Sequence, residues 1–175
     1  MAGKYYSFDG VSPEVSGSAF VHPTAVLIGR VTISDHCYIG PHATLRGDGG
    51  VILLREGAIV QDSCTIHGRN AVLEVGSCLG HNAVVHGARI GEGALVGISS
   101  VVLDEAVVGS QAILGALSLL TARTLLPDRH LATGIPAKVL RALSGNEVSR
   151  MVEGGKHYEA LTMLSIRTMN EERNA

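Results

Sequence analysis

Apolar positions recur along this chain with a period of six. Counting in sixes from Val15 meets Val15, Val21, Leu27, Ile33, Ile39, Leu45 and Val51. Counting in sixes from Leu54 meets Leu54, Val60, Ile66, Val72, Cys78, Val84, Ile90, Val96, Val102, Val108, Leu114 and Leu120, and no member of either series is polar. Four places after these residues the chain is mostly small, with Ala25, Cys37, Ala43, Ala58, Cys64, Gly76, Ala88, Ala94, Ser100 and Ala106 among them, although Asn70 and Asn82 also fall there. Neither the 3.6-residue period of a helix nor the two-residue alternation of an ordinary sheet gives this beat. An inward aliphatic followed by a small residue at the next bend fits a prism walled by short parallel strands, three hexads making a coil of about 18 residues. Coils stacked at about 4.8 Å bury the aliphatic column on one another. The expected fold class is all-β: a parallel β-helix of hexapeptide repeats, about six coils between Val15 and Leu125.

The beat slips by three places between Leu45 and Leu54, and a turn-rich loop is expected across Arg46-Gly47-Asp48-Gly49-Gly50. It ends after Thr124, where Pro127 and Pro136 bracket a connector. Ser144-Gly145-Asn146-Glu147 then matches a capping box, with Val148, Met151 and Val152 at helical spacing behind it. A C-terminal helix is predicted, packed on the prism through Met151, Met163 and Met169 and kinked or divided at Gly154-Gly155. The organisation expected is one domain, with residues 1–143 forming the β-helix and connector and residues 144–175 the helix.

Composition narrows the function. With 14 Lys+Arg against 16 Asp+Glu, a net charge of −2, no Trp and 3% aromatics, the 175-residue chain offers neither the basic field nor the stacking platforms of a nucleic-acid binder. At 46% hydrophobic and 17% charged it is not a disordered chain. Residues Met1 to Tyr6 lack the apolar core of a secretory signal. The uncharged stretch Ala106 to Ala122 is broken by Gly109, Ser110, Gln111, Gly115 and Ser118, so no membrane span is expected. Cys37, Cys64 and Cys78 form an odd set without CxxC spacing and read as reduced thiols pointing inward, which places the protein in the cytoplasm.

Eight histidines remain to be explained. His22, His36 and His42 fall among turn residues, His130 in the connector and His157 in the helix. His67 and His86 lie about one coil apart and so share a face, one strand spacing from each other. His81 belongs to the corner before that face, no more than about 16 Å of extended chain from His86. With Zn–N bonds of about 2.0–2.1 Å, it is awkward for three imidazoles so placed to meet within one chain. Around a threefold axis, however, the leading corner of one chain faces the trailing side of the next, which suggests a metal site shared between two subunits. Asp62 falls one coil below Gly80, beside His81, with Gln61 adjacent. Three neutral imidazoles leave a divalent cation its full charge and an open fourth position, where bound water has a pKa of about 7. Gln61 is suited to orient the resulting hydroxide. Arg46, Asp48 and Asp62 supply charged support or an intersubunit ion pair.

Leu45-Arg46-Gly47-Asp48, Gln61-Asp62 through His67, and Gly80-His81-Asn82-Ala83-Val84-Val85-His86-Gly87 together resemble the gamma-class carbonic anhydrase family of hexapeptide-repeat proteins. The likeness runs from about Tyr5 to Gly134-Ile135-Pro136-Ala137-Lys138-Val139. Tyr5-Tyr6-Ser7-Phe8-Asp9-Gly10 and Val21-His22-Pro23 look closer to the branch of the phenylacetate-degradation thioesterase and the carnitine-operon protein. The resemblance implies a left-handed β-helix and a homotrimer holding Zn2+, or another divalent metal, at each subunit interface on His67, His81 and His86. It also implies that Gln61 contacts the metal-bound hydroxide and that Arg46, Asp48 and Asp62 tie neighbouring chains together. The expected activity is attack of that hydroxide on CO2 to give bicarbonate. Gly49 stands where the best-characterised enzyme of the class has a glutamate, Ile59 where it has an asparagine, and Gly68-Arg69-Asn70 where it carries an acidic loop, so the activity expected is weak. Three alternatives stay open: an acyl-CoA thioesterase of the phenylacetate-degradation type, a hexapeptide acyltransferase working through a general-base histidine, and a trimeric scaffold cemented by metal.

Overall fold

Up to the C-terminal helix, short strands alternate with bends, and many of the bends are made in left-handed backbone. In the computed structural model, which describes residues 3–169, twelve non-glycine residues take φ between 48° and 59°. His36, His42, Ser63, Asn70, Asn82 and Ser99 are among them. Polar residues whose side chains hydrogen-bond locally tolerate this region best, which accounts for two of the histidines as bend residues. The strands between bends pair in parallel with those one coil away, and the result is a left-handed parallel β-helix of about seven turns with one C-terminal helix. Two faces of the prism run into each other through the long bent strands Val26–Ile33 and Thr44–Leu54 and form a twelve-stranded sheet; the third face is an eight-stranded sheet.

Three fully or nearly fully buried columns fill the prism. One holds Leu27, Leu45, Ile66, Val85, Val102 and Leu120, the next Ile33, Leu54, Leu73, Ile90, Val108 and Leu126, and the third Val21, Ile39, Val60, Leu79, Val96, Leu114 and Ala132. Each aliphatic side chain so buried stabilises the fold by roughly 1.5–3 kcal/mol over an exposed one. The columns correct the sixfold count at four places. Leu73, Leu79 and Val85 point inward, whereas the expected Val72, Cys78 and Val84 are half-buried and face out; Ile52 is buried beside an exposed Val51. Correspondingly, Ala71, Ser77 and Ala83 take the small inward places in lieu of Asn70, Gly76 and Asn82. The beat also continues through the connector. Leu125 pairs with Val107 and Leu131 with Ile113, so Leu126 and Ala132 extend their columns by a further turn. The hairpin of His130–Gly134 and Ala137–Ala142 then ends the third face.

No loop interrupts the prism between Leu45 and Leu54. Thr44–Leu54 is one strand, and its register against Val26–Ile33 jumps from Gly29↔Gly47 to Val31↔Ile52, so the surplus residues bulge outward at a single corner.

The helix Gly145–Thr168 starts at a complete capping box. The Ser144 hydroxyl accepts from the Glu147 backbone N–H, and the Glu147 carboxylate accepts from the Ser144 backbone N–H. Arg141 clamps the same carboxylate at 2.7 and 2.9 Å. The helix runs undivided through Gly154-Gly155. Tyr158 and Leu161 dock on Phe20, Tyr38, Ile59 and Cys78, with Tyr158 edge-on to Tyr38 at 5.4 Å. Of the three methionines expected to pack, Met151 is half-buried while Met163 and Met169 are exposed. The expected continuation of this segment to Ala175 lies outside the described residues. No helix among the described residues is long and apolar enough to cross a membrane.

Candidate functional site

The corner following the first column carries a ladder of charged and imidazole groups. His67 ends the strand Thr65–His67, and His86 ends Val84–His86, directly above it in register. Their rings meet edge to face, centroids 5.3 Å apart. Below them, the Arg46 guanidinium donates to Asp48 Oδ2 at 3.0 Å, and Asp48 Oδ1 lies 3.1 Å from His67 Nε2. The Arg46 hydrogen bond holds the Asp48 carboxyl below its ordinary range, so it meets His67 as an anion. Above them, both carboxylate oxygens of Asp104 lie 2.9 Å from His86 Nδ1.

Two glycines make this stacking possible. A Cβ on Gly87, at φ 58°, would stand 2.5 Å from Asp104 Oδ1. One on Gly68, at φ 90°, would stand 2.7 Å from the Gly87 nitrogen and 3.0 Å from His86 Nδ1. Any side chain at either position would push Asp104 off the ring or the two coils apart.

The preceding corner of the same face carries the remaining predicted residues. Gln61 Oε1 accepts from the His81 backbone N–H at 3.1 Å, and Asp62 Oδ2 lies 3.4 Å from His81 Nδ1. Gln61 Nε2 makes a long contact of 3.8 Å to Cys78 Sγ. The structure therefore sorts the seven predicted residues into two half-sites: Arg46, Asp48, His67 and His86 on one corner, Gln61, Asp62 and His81 on the other. Arg46 and Asp48 pair with each other within the chain. Among the described residues of a single chain, no three His, Cys, Asp or Glu side chains are close enough to hold a metal ion.

The donor chemistry of the first corner nonetheless suits two ligands of a shared ion. Each ring has one nitrogen on a carboxylate, Asp48 for His67 and Asp104 for His86, which leaves the other nitrogen as a lone-pair donor. The third predicted ligand, His81, stands on the other corner and does not join them within one chain. The cysteines do not contribute. Burial pushes the Cys37 and Cys64 thiols up to about 11 and that of Cys78 up to about 12. Cys78, expected in the core, faces outward beneath the helix. A small cleft of about 190 Å³, lined by Phe8, Asp9, Arg30 and the bulge Gly47-Asp48-Gly49-Gly50, opens beside the first corner.

Asp104 was not among the residues singled out from the sequence. Its signal is the repeat itself: it stands 18 residues after His86, one coil above.

No protein-family model matches the chain. The carnitine operon protein CaiE of Escherichia coli is 42% identical over 160 residues, spanning 90% of this chain and 82% of that protein. A hexapeptide transferase family protein from Anaplasma phagocytophilum is 33% identical, with a TM-score of 0.90 over 93% of this chain and 98% of its own. The BC4754 product of Bacillus cereus, named as a candidate acetyltransferase, is 28% identical with a TM-score of 0.91, over 95% and 99%. By sequence, length and fold, the chain belongs to the hexapeptide-repeat family that includes the CaiE protein and the Anaplasma hexapeptide transferase family protein.

Proposed function

We propose that this protein transfers the acyl group of a thioester, such as a coenzyme A ester, to a small amine or alcohol, with His86 as general base. The observation that carries this reading is the grip of Asp104 on His86. With both carboxylate oxygens at 2.9 Å, Nδ1 holds the hydrogen and Nε2 is the basic lone pair. Nε2 takes the proton of the acceptor N–H or O–H as the acceptor atom bonds to the thioester carbonyl carbon. The tetrahedral adduct collapses with cleavage of the C–S bond, and His86 returns its proton to the departing thiolate. Asp104 holds the ring in one tautomer and stabilises the imidazolium formed midway, as the carboxylate of a catalytic triad does. The sequence holds no Gly-x-Ser-x-Gly elbow, which argues against a serine nucleophile. The likeness to the Anaplasma hexapeptide transferase family protein supports the same class of chemistry. In a homotrimer, Gln61, Asp62 and His81 of the neighbouring chain complete the site, with His81 placed by Gln61 and Asp62 to hydrogen-bond the reacting carbonyl.

A second reading rests on the in-register pairing of His67 with His86. Those two imidazoles and His81 of a neighbour would hold zinc or another divalent cation, which when bound would supply a water whose pKa is lowered to about 7, the chemistry of CO2 hydration and of thioester hydrolysis. Asp48 and Asp104 would fix the two rings. Gly49-Gly50 and Gly68-Arg69-Asn70 bring no carboxylate to His67, and the one that touches it, Asp48, is held by Arg46 and the ring, so CO2 hydration by this route is expected to be slow.

The test is release of free thiol from acetyl-CoA, with and without a panel of amine and alcohol acceptors, before and after chelation. Acyl transfer predicts release that needs an acceptor, survives chelation and falls about 100-fold in His86→Ala. Release without acceptor that chelation abolishes, or CO2 hydration by the zinc-loaded protein that His81→Ala removes, selects the second reading instead. No thiol release from any thioester under any of these conditions sinks the first.

A further inference from the structure

We infer that the groove between the C-terminal helix and the prism receives the acyl chain of the substrate, and that this chain is aliphatic and of medium length. The inference rests on the acyl-transfer reading. The groove has a volume of about 390 Å³, within the range of small-ligand pockets. Its floor is one outward column, Ile59, Cys78, Leu95 and Ile113, paired coil on coil. Three strand spacings make a trough about 14 Å long. An extended chain advances about 1.2 Å per bond, so the trough matches about twelve carbons.

The roof shows that this space is built rather than left over from poor packing. The helix faces the prism through Met151, Gly155, Tyr158 and Thr162, at the spacing of one helical stripe. Where a large apolar residue would close the contact, the stripe has Gly155, and a Cβ there would meet nothing within 4 Å. Glycine is a poor helix former and is not needed here for close approach, so what it provides is the open volume. One wall is Gln61, the residue that also binds the His81 backbone N–H, so the groove opens onto the half-site that faces the reacting carbonyl. Glu147 and Arg150 stand at the end where the helix begins. An acyl chain laid along the floor has its carbonyl at Gln61 and its methyl end towards Ile113.

The experiment has a binding arm and a turnover arm. Calorimetric titration of the whole protein with butanoate, hexanoate and octanoate is expected to show affinity rising about fourfold per methylene. Thiol release is then compared for acetyl-, hexanoyl-, octanoyl- and dodecanoyl-CoA. Gly155→Leu, which fills the gap with a better helix former, weakens octanoate binding at least tenfold and moves the thioester preference to short chains. Leu95→Ala deepens the floor and moves it to longer ones, and it carries the test if Gly155→Leu fails to fold. Octanoate binding that Gly155→Leu abolishes, without cleavage of any thioester, keeps the groove and refutes the transfer reading. Thioester cleavage whose chain-length preference neither substitution moves refutes the groove alone. Absence of binding at every chain length overturns the inference, as it would if a second copy of the chain filled the space.

Discussion

Leu73 and Val72 are neighbours in sequence, yet one points into the prism and the other out of its wall. Leu73→Ala is expected to cost about 2–5 kcal/mol, because a fully buried leucine leaves a cavity that the stacked coils do not collapse to fill. Val72→Ala is expected to cost about 1 kcal/mol or less. Denaturant unfolding of the two variants checks the register directly, since the uninterrupted sixfold count predicts the opposite order. The inward thiols make a second test. Burial raises Cys37 and Cys64 from 9.0 to about 11, so the folded state favours the neutral thiol. Their contribution to stability is complete below pH 9 and is lost as the pH rises from there towards 11. Stability measured from pH 7 to 11 should fall across that window, and Cys37→Ala with Cys64→Ala should flatten the fall. At this scale, coil arithmetic brought His67 onto His86 and Asp62 to His81. It passed over Asp104 because an aspartate at a bend is indistinguishable in sequence from any solvated turn residue until the coil above His86 is built.

The C-terminal helix was legible from its first four residues, and its cap is as the spacing predicts. Ser144→Ala removes the oxygen that accepts the Glu147 backbone N–H and is expected to cost about 1 kcal/mol. Its signature is early loss of the helical circular dichroism signal on heating, ahead of the β signal. Arg141 and the cap hydrogen bonds hold the Glu147 carboxyl well below its ordinary value of 4.5. A carboxyl depressed on folding stabilises above its unfolded value, so this support is intact above about pH 4.5 and drains away as the pH falls below it. Helix content followed from pH 6 to 2 should decline in the wild type and be flatter in Glu147→Gln. What the sequence did not disclose is the role of Gly154-Gly155. A glycine pair in a helical pattern reads as a break, and only the opposing floor of Ile59, Cys78, Leu95 and Ile113 shows that Gly155 faces a groove.

Across the whole molecule the repeat holds at six residues on two of the prism's three corners and breaks on the third. From one column to the next, that corner spans nine residues between Leu45 and Leu54, seven between Ile66 and Leu73 and five between Val85 and Ile90, then returns to six. Asp48, His67 and His86 stand on those three irregular turns. The irregularity falls on the corner that carries the candidate residues Asp48, His67 and His86, and it lay in the sequence as a set of slips whose common location only the coil made visible. The other half-site, on a regular corner, lies across a full face of the same chain. If the site is completed between protomers, neither His81→Ala nor His86→Ala alone should retain activity, yet each variant keeps intact the half that the other lacks. In a head-to-tail trimer every interface joins one chain's His81 corner to the next chain's His86 corner. Co-refolding the two variants in equal amounts therefore regenerates an intact pair at about a quarter of the interfaces. Thiol release should return to about a quarter of the wild-type rate in the mixture while each variant alone stays inactive. A mixture as inactive as its parts would show that the two corners of this prism do not work together across chains.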